Sequence, residues 1–155
     1  MIEIRQTPEY EKWFVTLKDR LARVRVDIRV RRLSLGNLGA VEPVGESVNT
    51  LSKEMTKTTT RIWDPAEHLQ SDEDRAAYLE AALEEGDASL FAAALGDIAR
   101  AKGMSQLAKE TGLGRESLYK ALSPSGNPEF ATILRVVGAL GLQLHATRAI
   151  VKGTD

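Results

Sequence analysis

Apolar positions along this chain recur with two different periods. Ile2-Glu3-Ile4-Arg5 alternates apolar and polar, the mark of a short strand. Thr7-Pro8 then offers a capping side chain followed by a proline pre-set for a first helical turn. A helix from Pro8 to Asp19 places Trp13, Phe14 and Leu17 on one side. A second helix is predicted from about Arg20 to Leu35, stopped by Gly36-Asn37. At 100° per residue, Leu21, Val24, Ile28 and Leu35 share one face, while Val26, Val30 and Leu33 share roughly the opposite one. A helix apolar on two sides is usually buried on two sides. Val26, Val30 and Leu33 are therefore the candidate contact to another chain or to the second half of the same chain, and Leu142 to Thr147 is the alternative dimer contact.

Asn37 to Lys57 has little periodicity and reads as a connector, with Ala40-Val41 or Val48 to Leu51 able to pair as an edge strand. From Asp64 onward the pattern is helical. Ser71-Asp72-Glu73-Asp74 is a cap with an acidic first turn. Tyr78, Leu79, Ala82 and Leu83 form the stripe, and Gly86 ends it. Asp87-Ala88-Ser89 opens the next helix, which ends at Gly103. Ser105 is expected to cap a short helix to Thr111, followed by the turn Gly112-Leu113-Gly114 and a short helix from Arg115 to Leu122. After a loop from Ser123 to Gly126, Asn127-Pro128 is expected to open a last helix lined by Phe130, Ile133, Leu134, Val137 and Leu140. Leu142 to Ala146 alternates like a strand. The fold class expected is mostly α, a helical bundle preceded by a small α/β piece.

"MSQLAKETGLGRESLYKALS", Met104 to Ser123, carries the sharpest functional signal. A helix-turn-helix needs a small residue where its helices touch, a glycine at the turn and apolar anchors that fix the crossing. Ala108, Gly112 and the set Leu107, Leu113, Leu118 and Ala121 meet those needs. The second helix then projects Arg115, Glu116, Ser117, Tyr119 and Lys120, side chains suited to base edges or phosphates. A plain helical hairpin is the competing reading.

The net charge of −1 conceals a strong segregation. Six arginines lie between Arg20 and Arg32. Nine acids and one arginine lie between Asp64 and Asp87. From Asp97 to Arg135 there are six bases and four acids. The acidic block reads first as a solvated helix surface and second as a neutraliser of a basic surface such as Arg20 to Arg32, in the same or a partner chain. Zero cysteines exclude disulfides and thiolate chemistry. No apolar run reaches the length of a membrane span, and Met1 to Arg5 lacks a signal-peptide core. A cytoplasmic protein with no cofactor is expected. His68 and His145 stand apart, as surface or capping residues, and no catalytic or metal-binding set is recognisable. Glu9, Glu11 and the arginines read as a solvated helix edge rather than an RNA site.

Two resemblances sharpen this reading. "DPAEHL", "DEDRAAYLEAALEEGD" and "LAKETGLGRESLYKALSPSGNPEF" resemble a HigA-type antitoxin of the lambda-repressor-like helix-turn-helix family. The resemblance implies phosphate binding by Gln106, major-groove readout by Arg115, Glu116, Ser117, Tyr119 and Lys120, and a backbone contact by Asn127. Many relatives place Ser or Thr where this chain has Gly114 as recognition-helix cap. "TPEYEKWFVTLKDRLARVRVDIRVRRLSLGN" and "VEPVGE" resemble the start of a RelE/HigB-type toxin, an mRNA-cleaving ribonuclease, without the strands that carry its chemistry. "GESVNTLSKEMTKTTTRIWD" then reads as a fusion seam, Met55 standing where an antitoxin would begin. The division expected is a truncated toxin-like fragment over 1–46, a junction over 47–63 and a DNA-binding domain over 64–155. The function expected is a dimeric regulator, an autorepressor, on double-stranded operator DNA, with no enzymatic activity. A decoy or antitoxin that binds a RelE/HigB-type toxin is the alternative, as is a residual ribonuclease held inactive by the fused half.

Overall fold

The computed structural model describes residues 1–37 and 59–149. The connector, including positions 40–41 and 48–51, lies outside the described residues apart from Asn37. Within them are seven helices and a two-stranded antiparallel sheet. The order is β1 (Arg5–Gln6), α1 (Pro8–Thr16), α2 (Arg20–Ser34), β2 (Arg61–Ile62), a 3₁₀ turn (Pro65–His68), α3 (Asp72–Glu84), α4 (Ala88–Lys102), α5 (Met104–Thr111), α6 (Arg115–Ala121) and α7 (Phe130–Ala139). The mostly helical class holds.

Local chemistry accounts for most helix starts. The Thr7 hydroxyl accepts from the Tyr10 N–H at 3.2 Å, with Pro8 in the first turn of α1. Asp19 caps α2 through the Leu21 N–H at 2.9 Å. Ser71 and Asp74 form a reciprocal capping box on α3. Asp87 accepts from both Ser89 and Leu90 at the start of α4.

The N-terminal strand falls two or three residues later than the alternation predicts, at Arg5–Gln6. Its partner is β2, with Arg5 opposite Ile62 and Gln6 opposite Arg61. The Trp63 N–H extends the pairing to the Ile4 carbonyl at 2.9 Å. Residues 59–63, assigned to the junction from sequence, thus carry β2 and the buried Trp63.

Helix α2 lies against α3 and also touches α4. Val24 and Ile28 join one core cluster with Tyr78, Leu79, Ala82, Leu95 and Ile98. Leu21, expected on that face, is 55% exposed because it sits in the first turn of the helix. Val26, Val30 and Leu33 are half-buried and outside this cluster. Trp13 is largely exposed while Phe14 is buried.

Four expectations in the C-terminal half need correction. Ser105 does not cap α5: a single residue, Gly103, joins α4 to α5, the helix begins at the buried Met104, and Ser105 lies inside its first turn. Asn127-Pro128 does not open α7, which begins at Phe130 after an extended Glu129 with no side-chain cap. The face of α7 is also shifted, with Val136, Val137 and Leu140 buried but Phe130 65% and Leu134 49% exposed. Residues 142–146 form no strand. Leu142 and Leu144 pack on the core and Gln143 between them faces outward, so alternation records one-sided burial without a ladder.

Candidate nucleic-acid interface

Helices α5 and α6 build the predicted motif. Met104, Leu107 and Thr111 bury one face of α5; Leu118 and the following Leu122 bury one face of α6. Gly112 ends α5 at φ 68°, a left-handed conformation that glycine adopts without a Cβ penalty. The Thr111 hydroxyl donates to the Leu107 carbonyl at 2.8 Å and accepts from the Leu113 N–H at 3.4 Å, fixing the turn. Ala108 packs against the core from a half-buried position. Gly114 occupies the cap position of α6 without a side-chain hydrogen bond, as its residue type requires.

Close approaches at two glycines set the height of α6. A Cβ on Gly96 of α4 would stand 2.5 Å from the Leu122 carbonyl oxygen. A Cβ on Gly126 would stand 2.3 Å from the Ala121 carbonyl. Both positions seat the C-terminal end of α6 directly against backbone.

This seating leaves Arg115, Glu116, Ser117, Tyr119 and Lys120 exposed on α6. The Arg115 guanidinium lies 5.6 Å from the Tyr119 ring centroid and reaches its hydroxyl at 3.5 Å. Gln106, exposed on α5, donates to Glu110 at 2.8 Å. Asn127 is exposed in the loop before α7. All seven predicted side chains are thus solvent-facing; five share one helix, and Gln106 and Asn127 come from elements next to it in the chain.

Among the described residues, Lys109, Arg115, Lys120 and Arg135 form no ion pair, and neither do Arg23, Arg25 and Arg29 of α2, whereas the other three α2 arginines do. Arg20 meets Asp74 at 3.1 Å, Arg31 meets Asp97 at 2.9 Å and Arg32 meets Glu85 at 2.6 Å. The acidic block therefore serves in part to neutralise the arginine helix of its own chain, the second of the two roles read from sequence.

Pattern reading did not find the buried polar centre behind this face. Asp97 is fully buried; it accepts from the Tyr78 hydroxyl and from Arg100, both at 2.8 Å, and pairs with Arg31. Arg100 also forks onto Asp64 at 3.0 and 3.1 Å. Burial pushes the Asp97 carboxyl up despite its cations, and pushes the Tyr78 hydroxyl well up. At Asp64 burial opposes, but hydrogen bonds from Arg100 and the Ala66 N–H carry the carboxyl below its ordinary range. His68 stacks on Phe14, ring centroids 4.3 Å apart, and its Nδ1 lies 2.9 Å from the buried Asp27. Burial raises the Asp27 carboxyl, and His68 holds back that rise. Apart from the i,i+3 pair Asp97–Arg100, position along the chain gave no signal for these pairs, whose partners lie 19 to 66 residues apart. Among the described residues, no group of three His, Asp or Glu side chains is arranged to hold a metal.

A family model described as "Probable addiction module antidote protein" matches residues 59–148. A Haemophilus influenzae protein described as uncharacterized is 51% identical over 87 residues, 56% of this chain and 90% of the relative. No solved structure matches. With the match spanning β2 through α7 and the motif built within it, the chain belongs to the family of probable addiction module antidote proteins.

Proposed function

We propose that the chain is a dimeric, sequence-specific DNA-binding regulator, an autorepressor derived from a toxin–antitoxin pair. The observation that carries this reading is the outward face of α6, where Arg115, Ser117, Tyr119 and Lys120 stand exposed above buried Leu118. An α-helix of this kind fits the major groove, where arginine and lysine pair with guanine edges and phosphates. A motif this small gains useful affinity as a dimer on two half-sites about one helical turn apart. Residues 1–46 are, on this reading, a remnant of a RelE/HigB-type toxin without its catalysis, a reading that rests on the resemblance of their sequence. The function is regulatory, not enzymatic.

The test is binding of the purified protein to its own upstream DNA across a salt series. The expected result is affinity about a thousandfold above random DNA, falling with salt and abolished by Arg115→Ala/Lys120→Ala. Equal, weak binding to all DNA would overturn the reading. A second role, capture of a toxin, is favoured by the family itself, since an antidote implies a toxin partner.

A further inference from the structure

The family match begins at residue 59, and the Haemophilus influenzae relative has only about a tenth of its length outside the alignment. The family's shared part therefore does not include α1 or α2. In this chain those helices cover a face of that shared part, formed by β2, the 3₁₀ turn, α3 and α4. The cover is complementary in charge and shape. Arg20, Arg31 and Arg32 of α2 pair with Asp74, Asp97 and Glu85, while Val24 and Ile28 join the apolar cluster of Tyr78, Leu79 and Ala82. β1 adds a strand to β2. Two clefts run along its edges. A cavity of about 450 Å³ lies between Ile2, Ile4 and Arg31 on one side and Trp63, Pro65 and Arg100 on the other. A second, about 240 Å³, lies between Phe14, Arg23 and Val24 and Leu69, Gln70 and Asp74.

We infer that this face is the toxin-docking surface of the antidote fold and that residues 1–37 fill it in cis. Its occupant in trans is a toxin whose chain begins with a strand followed by an arginine-bearing helix. A family member without residues 1–37 would present Asp74, Glu85 and the buried Asp97 to the arginines of that helix, and the edge of β2 to its strand. Here the same groups are already satisfied, so the chain is an antidote closed by its own N-terminal segment. This rests on the toxin-like reading of that segment, not on DNA binding.

The experiment titrates the full chain with a catalytically inactivated RelE/HigB-type toxin having an intact strand-helix-helix start. Three forms are compared: the natural chain, Arg20→Ala/Arg32→Ala, and the same double variant with Asp74→Asn/Glu85→Gln added, changes that remove charge but keep an acceptor for the Ser71 N–H. The first variant frees two acids at the rim and shifts the closed form toward the open one, so toxin should bind about tenfold tighter than to the natural chain. The added acid substitutions should remove that gain. Hydrogen exchange of the α2 amides should accelerate on toxin binding, since the helix is displaced. Both arginine pairs are partly exposed to solvent, and thermal unfolding checks that the variants stay folded. Equal toxin affinity in all three forms, toxin binding with α2 still protected, or no binding to any form would each overturn the inference. Operator binding by the arginine variant is read separately: it should be unchanged, and its loss in the natural chain would sink the regulator reading alone.

Discussion

Gly96 and Gly138 are both helical glycines, yet their surroundings demand opposite outcomes on substitution. A methyl at Gly96 meets the Leu122 carbonyl at 2.5 Å, a backbone atom that cannot rotate aside. A methyl at Gly138 meets nothing within 4 Å. Gly96→Ala should therefore cost about 1–3 kcal/mol by forcing α4 from α6. Gly138→Ala should stabilise by about 0.5–1 kcal/mol through helix propensity. Urea unfolding of both variants checks the pair, and equal shifts would remove the close-approach argument. Asp27 allows a test of sign. Its folded pKa is raised, so the folded chain holds this proton more tightly than the unfolded chain. Its contribution to stability is full below the unfolded carboxylate pKa and is lost as pH rises through the folded value. The stability of the natural chain relative to Asp27→Asn should fall as pH climbs through that window. Denaturant midpoints across the acid range measure it, and a difference that grows with pH would contradict the burial of Asp27 as the dominant cause.

At the scale of elements, the caps written in the sequence are mostly the caps found: Thr7, Ser71 with Asp74, and Asp87 satisfy helix N–H groups that would otherwise lack partners. The failures have a common cause. Ser105 and Asn127 are good capping residues at positions where the path between neighbouring helices fixes the start elsewhere. Phe130 and Leu134, one turn apart on α7, are exposed because the core takes the adjacent face through Val136, Val137 and Leu140. The two-faced α2 has the same ambiguity. Its Val24 and Ile28 face is buried in the chain, and the half-buried Val26, Val30 and Leu33 remain the proposed dimer contact. Val30→Asp should then weaken self-association more than folding in sedimentation equilibrium and thermal unfolding. An unchanged dimer with Val30→Asp, together with a monomer for Leu134→Asp, would move the contact to α7.

For the whole molecule, the arrangement of charge decides more than its sum. A net charge of −1 gives no hint of nucleic acid. Folding pairs three of the six α2 arginines, Arg20, Arg31 and Arg32, with Asp74, Asp97 and Glu85, and leaves the basic groups of α5 to α7 without acidic partners among the described residues. No helix among those residues is long and apolar enough to cross a membrane. The period of apolar residues and the chemistry of caps and turns act within a few positions, so the helix order, the α5–α6 motif and the five exposed side chains of α6 were legible from the chain alone, while Gln106 and Asn127 came from the family resemblance. Burial, ion pairing and close backbone approach depend on residues distant in sequence. Tertiary structure alone therefore decided that Asp97 is the centre of a buried network, that His68 joins Asp27, that Gly96 seats the end of α6, and that the arginine helix packs on α3 and α4.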